Sequence, residues 1–231
     1  GDFNNWNRYP HPLADEGDGI WTIFLPDSEY KDKLTHGSLL KVLVQSSIGE
    51  QERLPVYINR VVQDGVTKDF SAQFWNPEHP YKFTHKTPKL GDEPLLIYES
   101  HVGMAQEREG VGTYTEFTEQ ILPRIKADGY NAVQLMAIAE HPYYGSFGYH
   151  VSNLFAASSR FGTPEELKQL VDTAHGMGLL VIMDLVHSHT VKNVREGLNL
   201  FDGTEYQYLK GGREGEHPLW DSMLFNYGKT E

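Results

Sequence analysis

The second half of the chain alternates apolar runs with segments of helical periodicity, and this alternation constrains the fold most. Apolar runs at 95–99, 130–136 and 179–184 are typical of buried strands. Between them, apolar residues recur at helical spacing over 115–127 and 164–177. Strand, helix, strand, helix and strand in this order predict parallel strands with right-handed crossovers. A (β/α)8 barrel begins in this way.

Local signals predict where these helices begin and end. Thr163 is a suitable N-cap, Pro164 suits the first helical position, and Glu166 completes a capping box. Gly178 follows the last periodic residue and is a typical stop. Pro123 lies inside the first helical segment, so we expect it to kink that helix or to mark where the helix begins.

The first ninety residues have a different pattern. Short apolar runs at 19–25, 39–45 and 55–58 are separated by turn residues, which favours a small antiparallel β-sandwich. Four prolines within 75–94 indicate a linker. We therefore predict two domains: a β-sandwich over 1–92 and a partial (β/α)8 barrel over 93–231.

Three strands cannot close a barrel. A complete (β/α)8 barrel takes about 250 residues, and only 137 residues of the 231 follow Pro94. The alternatives are an incomplete barrel and an open sheet. In either case the sheet has unpaired edges, so we expect the isolated chain to be poorly stable or to self-associate.

The net charge of the chain limits the classes of molecule that we expect it to bind. The formal net charge of −12 argues against a nucleic-acid backbone or an anionic membrane surface, because both would repel the chain. A neutral polymer is compatible with this charge. Cysteine is absent, which excludes disulfides and thiolate chemistry. No apolar run is long enough to span a bilayer, and the first residues are polar, so we expect a cytoplasmic protein.

Three segments follow the predicted barrel strands, where the catalytic residues of such barrels lie. They are 99–101, the long aromatic loop 141–150, and 184–189. Aromatic side chains suit stacking on sugar rings, but loop aromatics often serve packing alone. A carboxylate such as Asp184 could equally be a capping residue. The pair His187 and His189 could ligate a metal, but no second set of ligands follows a later strand.

At these segments the sequence resembles the α-amylase clan of glycoside hydrolases and transglycosylases, and within it the glycogen and starch branching enzymes. The resemblance is strong from Leu95 on and weaker in the first ninety residues, where 1–7 resembles the start of the family's glucan-binding sandwich, so the resemblance implies that the β-sandwich over 1–92 binds glucan. The matching segments are 98–103, 122–126, 129–138, 140–150, 155–167, 184–189, 197–204 and 219–222.

The resemblance implies a transglycosylase that cleaves α-1,4 bonds and forms α-1,6 branch points in glycogen or starch. Asp184 resembles the carboxylate that orders the substrate, His189 the histidine that hydrogen-bonds a sugar hydroxyl, and Tyr149 the ring that stacks on the sugar. The further expected glucan contacts are Tyr143, Tyr144, His141, Trp220 and Trp6. The partners implied are α-glucans, namely glycogen, amylose and amylopectin, with no metal and no organic cofactor.

Two groups that this chemistry needs are missing from the sequence. A retaining mechanism uses a nucleophilic carboxylate and an acid/base carboxylate about 5 Å apart. The family motifs that carry them are not found here, so we expect these residues alone not to catalyse. The alternatives are a noncatalytic glucan-binding chain and a debranching or hydrolytic enzyme of the same clan.

Overall fold

The computed structural model describes residues 1–229. Its strands, in chain order, are β1 (Ala14–Gly17), β2 (Ile20–Thr22), β3 (Leu39–Leu40), β4 (Val42–Ser46), β5 (Gly49–Arg53), β6 (Val61–Gln63), β7 (Phe70–Gln73), β8 (Ile97–Ser100), β9 (Ala132–Leu135), β10 (Ala139–Glu140), β11 (Asn153–Ala157), β12 (Leu180–Met183), β13 (His189–Val191) and β14 (Ser222–Leu224).

The α-helices are α1 (Asp27–Tyr30), α2 (Tyr114–Glu116), α3 (Leu122–Ala127) and α4 (Pro164–Gly176). A π-helical turn, Phe117–Ile121, joins α2 to α3. Short 3-10 turns occur at Asp2–Asn4, Val102–Met104, Tyr144–Ser146, Ser159–Phe161 and Arg213–Gly215. In residues 1–229 we find no helix with the length and apolar content that a membrane crossing requires.

The chain forms two compact units that alternate along the sequence. Unit 1 contains Gly1–Glu78, His150–Ala156 and the residues from His187 onward. Unit 2 contains His79–Tyr149 and Ala157–Val186. The predicted domain boundary at residues 92 and 93 stays a prediction.

Unit 2 is built on a parallel sheet with the order β12-β9-β8. Ala132 in β9 is the register partner of both Ile97 in β8 and Leu180 in β12. Strands β9 and β12 lie inside two of the apolar runs of the sequence, and β8 begins inside the run at 95–99 and ends one residue beyond it. Because all three run in the same direction, their carboxyl ends lie at one edge of the sheet.

The helical segment after β8 shows how the chain accommodates Pro123. Proline has no N–H, and its ring collides with the carbonyl four residues earlier in a regular helix. Here Pro123 lies in the first turn of α3, and the π-helical turn directly precedes it. The helix therefore continues to Ala127 with a local change of hydrogen-bond register.

Helix α4 begins with the predicted capping box. The Thr163 hydroxyl accepts the backbone N–H of Glu166 at 3.2 Å, and the Glu166 carboxylate accepts the backbone N–H of Thr163 at 2.6 Å. One face of α4 is buried and contributes to the core of unit 2. The fully buried members of this core are Val102, Tyr114, Phe117, Ile121, Leu122, Ile125, Val133, Leu135, Ile138, Phe161, Leu170, Ala174 and Leu179.

The proline-rich segment before β8 is attached to α4 through Asp172. This buried carboxylate accepts hydrogen bonds from the Tyr81 hydroxyl at 2.8 Å, the Thr84 hydroxyl at 2.7 Å and the His85 backbone N–H at 2.8 Å. Burial opposes ionisation of Asp172, but these hydrogen bonds outweigh it and hold the pKa of the carboxyl well below its usual range. The linker is thus anchored by an ionised side chain.

Unit 1 consists of small antiparallel sheets. They are the hairpins β1-β2 and β4-β5, the three-stranded sheet β3-β7-β6, and the pair β13-β14. The expected strand at 55–58 was wrong: Pro55 cannot donate to a ladder, and its carbonyl accepts the Ile58 N–H in a turn. The expected strand at 39–45 is divided into β3 and β4 at Lys41.

Candidate active site

The loop that follows β9 is held in place by buried polar contacts within unit 2. Arg160 donates to the carbonyls of His141 and Pro142, at 3.5 and 3.2 Å, and its guanidinium lies over the Tyr144 ring. The Tyr144 hydroxyl donates to the Gly103 carbonyl at 3.0 Å. Gly148 has φ +93°, and a Cβ there would overlap the carbonyl oxygen of Ala137. Only glycine fits this close approach.

Glu140 lies at the start of this loop and is almost fully buried. Its carboxylate accepts the backbone N–H of Ser159 at 2.7 Å and that of His141 at 3.3 Å. Burial raises the pKa of Glu140, although these hydrogen bonds and the charge of Arg160 oppose the shift. Glu140 therefore joins the loop to the segment that precedes α4.

His141 is fully buried, with 0% of its surface exposed. Its Nδ1 lies 2.8 Å from the Ala139 carbonyl, so Nδ1 donates and carries the proton. Nε2 has no hydrogen-bond partner among the described residues. Burial lowers the pKa of His141 to about 4, and the positive charges of Arg160 and His101 act in the same direction. The side chain is thus a neutral imidazole at physiological pH.

Tyr149 and Asp184 meet at the carboxyl end of the parallel sheet. Asp184 follows β12 directly, and its N–H extends the sheet pairing to the Leu135 carbonyl at 3.2 Å. The Tyr149 hydroxyl donates to Asp184 Oδ2 at 2.9 Å. Burial raises the pKa of Tyr149 to about 12, and the charges of Asp184 and Glu99 add to this effect. Tyr149 therefore stays a neutral donor that fixes one oxygen of Asp184.

His189 is the first residue of β13 in unit 1 and is 3% exposed. Its ring centroid lies 5.2 Å from that of Trp220, 5.8 Å from His217 and 6.3 Å from His150. Burial lowers the pKa of His189, and His150 and His217 add to this shift. A neutral imidazole can both donate and accept a hydrogen bond.

The other predicted contacts differ in accessibility. Tyr143 is 65% exposed and Trp220 is 53% exposed. Trp6 is also exposed, and its indole N–H donates to Asp2 at 2.9 Å. Tyr144, in contrast, is half-buried and His141 is fully buried, and each is hydrogen-bonded to a backbone carbonyl of unit 2.

The structure brings two groups of predicted residues together. Tyr149 and Asp184 are hydrogen-bonded in unit 2, and His189 and Trp220 are neighbours in unit 1. Sequence reasoning missed His217, whose ring centroid lies 5.8 Å from that of His189 and 4.1 Å from that of Trp220. Its position three residues before Trp220 is the one local signal that could have indicated it. In the part of the chain that the structure describes, no group of three or more histidine or acidic side chains could hold a metal ion.

Comparison with known proteins identifies the families that this chain is similar to. Residues 100–208 match the family model described as the alpha amylase catalytic domain. Among curated proteins, the 1,4-alpha-glucan-branching enzyme of Aspergillus oryzae is 53% identical over 235 residues, which cover 100% of this chain and 34% of that protein. The corresponding enzyme of Saccharomyces cerevisiae is 53% identical over 247 residues, and that of Felis catus is 48% identical over 233 residues. Both alignments cover 100% of this chain, with 35% and 33% of those proteins. The chain spans about a third of the length of the curated relatives it matches.

Solved structures share the fold at low sequence identity. The catalytic module of the glycogen-degrading pneumococcal virulence factor SpuA aligns with a TM-score of 0.73 and 17% identity, covering 94% of this chain and 36% of that chain. The Group B Streptococcus pullulanase SAP in complex with maltotetraose aligns with a TM-score of 0.71 and 19% identity, covering 99% of this chain and 34% of that chain. The chain therefore shares the fold of the matching parts of these solved structures, with mixed parallel and antiparallel sheets.

Proposed function

Because the chain is a relative of the 1,4-alpha-glucan-branching enzymes along all of its length, we propose that this protein is a glucan-branching transglycosylase. It cleaves an α-1,4 bond of an α-glucan and transfers the released segment to a 6-hydroxyl, forming an α-1,6 branch point. The substrates are glycogen, amylose and amylopectin. A neutral polysaccharide suits a chain with a net charge of −12, since it has no phosphate or headgroup charge to repel.

The hydrogen bond between Tyr149 and Asp184 is the observation that carries this proposal. Glycosyl transfer passes through an oxocarbenium-like transition state, which a nearby carboxylate stabilises. Asp184 lies at the sheet edge where barrel enzymes carry their active residues. Tyr149 fixes the carboxylate by donating to Oδ2, and its ring offers a face for the sugar at the bond that is broken.

The remaining residues take supporting roles in this proposal. His189 hydrogen-bonds a sugar hydroxyl, which its neutral imidazole can do as donor or acceptor. Tyr143, Trp220 and Trp6 expose aromatic surface that suits sugar rings. His141 is fully buried, so in this proposal it holds the loop after β9 in place instead of contacting the glucan directly. Tyr144 has the same role through its hydrogen bond to Gly103.

The proposal extends to the architecture and the location of the protein. We interpret β8, β9 and β12 as the first three strands of a (β/α)8 barrel, with residues 93–231 as the barrel portion. Residues 1–92 would form a β-sandwich that binds glucan. The expected location is the cytoplasm, where branching of a glycogen-type polymer would take place.

A variant series tests the role of the tyrosine–carboxylate pair. The longest polypeptide that the gene of this chain encodes is incubated with amylose, and the loss of iodine–amylose absorbance is followed. Asp184→Asn should lower the rate at least about 100-fold, because a neutral amide stabilises the transition state poorly. Tyr149→Phe should lower it about 10-fold, the effect of one hydrogen bond to a charged group.

Matched controls change the same residue types at exposed positions. Asp128→Asn and Tyr57→Phe should leave the rate within about 2-fold of the unaltered protein. Equal losses in the controls, or full activity of Asp184→Asn, would contradict the proposed roles.

A further inference from the structure

An aromatic stack lies on unit 1 beside His189. The rings of His217 and Trp220 are parallel, with an interplanar angle of 2° and centroids 4.1 Å apart. Trp220 is nevertheless 53% exposed. We call these two residues the His217–Trp220 stack. Its histidine covers one face of the indole, and the exposed area shows that the tryptophan is not a core residue.

The imidazole of His217 also fixes the turn that carries Trp220. Its Nδ1 accepts the backbone N–H groups of Leu219 at 3.3 Å and of Trp220 at 3.2 Å. The backbone N–H of His217 donates to the Ser222 carbonyl at 2.8 Å. Since Nδ1 is an acceptor, the neutral ring carries its proton on Nε2. One side chain therefore supports Trp220 both through its ring and through its lone pair.

A lysine fastens the same turn to the strand of His189. Lys192 follows β13 directly, and its Nζ lies 2.6 Å from Asp221 and 3.3 Å from Glu216. These two carboxylates flank the His217–Trp220 stack in sequence. Asp221 has φ +49°, a left-handed conformation that is uncommon for residues other than glycine and that aspartate adopts more readily than most of them. The turn is thus held by an ion pair in a strained shape directly after Trp220.

These features have little value for stability alone. A large apolar ring held in solvent by a strained turn gains little from burial, and backbone strain of this kind is concentrated at ligand-binding sites. The flat, electron-rich face of an indole packs well against the C–H groups on the apolar face of a pyranose ring. Its exposed surface beside His189 fits such a ring.

We propose that His217 is a positioning residue that holds Trp220 as a stacking platform for one glucose ring of an α-glucan, with Lys192 fastening the platform to the strand of His189. This inference rests on the proposed function, and it adds a subsite and two residues that act through Trp220. Since His217 occupies one indole face, the sugar stacks on the opposite face.

Steady-state kinetics of branching on amylose test the proposal in the longest polypeptide that the gene encodes. Trp220→Ala should raise KM about 10-fold and leave kcat within 3-fold, because a stacking platform binds the glucan equally in the ground state and in the transition state. His217→Asn keeps an acceptor near the Nδ1 position but removes the ring. His217→Phe keeps a ring but removes the acceptor. Each should raise KM about 3- to 10-fold.

A double variant distinguishes positioning from an independent contact. If His217 acts through Trp220, then His217→Asn combined with Trp220→Ala should have the KM of Trp220→Ala alone. Multiplicative effects on KM, or an effect of the His217 variants on kcat alone, would overturn the proposal.

Unit 1 offers a matched control at His36. This histidine also packs against a tryptophan, Trp75, with centroids 4.4 Å apart. Its Nδ1 likewise accepts a backbone N–H, that of Asn76, at 3.1 Å. His36→Asn should leave KM unchanged, because this pair is not part of the His217–Trp220 stack. An equal rise in KM for His36→Asn would show a general loss of structure and overturn the proposal.

Binding of maltoheptaose, measured by tryptophan fluorescence and by calorimetry, separates the inference from the proposed function. An inactive protein that binds maltoheptaose, with binding weakened about 10-fold in Trp220→Ala, would refute branching and leave the platform supported. An active protein whose Trp220→Ala variant has unchanged KM and affinity would refute the platform alone. Absence of both activity and binding would refute both.

Discussion

The buried His141 makes stability depend on pH in a defined way. Its pKa in the folded chain is about 4, whereas a histidine in an unfolded chain titrates near 6.5. Above pH 6.5 both states are neutral, and the fold carries no penalty. As the pH falls below 6.5, the unfolded state binds a proton that the folded state refuses, so the free energy of unfolding decreases. The loss ends near pH 4, where the folded state is also protonated.

The size of the effect follows from the two pKa values. A difference of one unit corresponds to about 1.4 kcal/mol. The full loss is therefore about 3 kcal/mol, with about 1.4 kcal/mol already lost at pH 5.5 and about 2.6 kcal/mol at pH 4.5. Two observations support a shift of this size: His141 is 0% exposed, and its Nε2 has no hydrogen-bond partner within residues 1–229.

His141→Asn isolates this contribution. The asparagine amide can still donate to the Ala139 carbonyl, as Nδ1 does now, but it does not titrate. At pH 7.5 the variant should be less stable by about 1–3 kcal/mol, because it leaves part of the ring volume empty. This difference should shrink steadily as the pH falls, because only the unaltered protein loses the part of its unfolding free energy that depends on a neutral His141.

Denaturant unfolding of both proteins between pH 7.5 and 4.5, followed by near-UV circular dichroism, measures the difference in unfolding free energy. His79→Asn, a change at an exposed histidine of the same unit, is measured alongside as the control for the substitution itself. A constant difference for His141→Asn would refute the reasoning, because it would mean that His141 titrates alike in both states.

Three further predictions concern the framework of unit 2. Asp172→Ala should lower the melting temperature by about 5 °C, because the linker loses its anchor on α4, and scanning calorimetry checks this; a melting temperature equal to that of Asp128→Ala would contradict it. Thr163→Ala should cost about 1 kcal/mol through loss of the α4 cap, whereas Thr163→Ser should retain most of the stability, and equal denaturant midpoints for both variants would exclude a capping role. Gly148→Ala should cost at least about 3 kcal/mol, because its Cβ would overlap the Ala137 carbonyl, and an unchanged melting curve would disprove the close approach.

Local signals in the sequence were sufficient for unit 2. The apolar runs located β8, β9 and β12, because strands buried on both faces consist of near-continuous apolar residues. The residues Thr163, Pro164 and Glu166 predicted the start of α4 within one residue. The sequence predicted that Pro123 would interrupt or kink the helix, and the structure accommodates the proline through the π-helical turn that precedes α3.

Unit 1 was harder to predict because long-range contacts determine it. Strand β5 contains no apolar residue and forms because it pairs with β4 in a hairpin. Arg53 at its end is buried and donates to the carbonyls of Val194 and Asn199, far away in the sequence. Such a strand has no alternation of apolar and polar residues from which it could be predicted. A turn at Pro55 was misread as a strand because the run 55–58 is apolar, although the proline is itself a local signal against a ladder.

The position of Asp184 at the carboxyl end of β12 was predictable because Asp184 directly follows an apolar run, whereas its role stays a prediction. Asp184 and Tyr149 were named from a motif, and their hydrogen bond accounts for why both residue types occur there. The burial of His141 could not be foreseen, since an aromatic loop predicts exposure as readily as packing. His217 was missed because its significance lies in its stack with Trp220, which depends on the turn between them.

The most direct test of the central claim is product analysis after incubation of the longest encoded polypeptide with amylose. Proton NMR follows the α-1,6 anomeric signal, and a colour assay follows reducing ends. Branching predicts a rising α-1,6 signal with little net gain in reducing ends, since each cleaved bond is replaced by a new one. Rising reducing ends without an α-1,6 signal would contradict the claim and indicate a hydrolase.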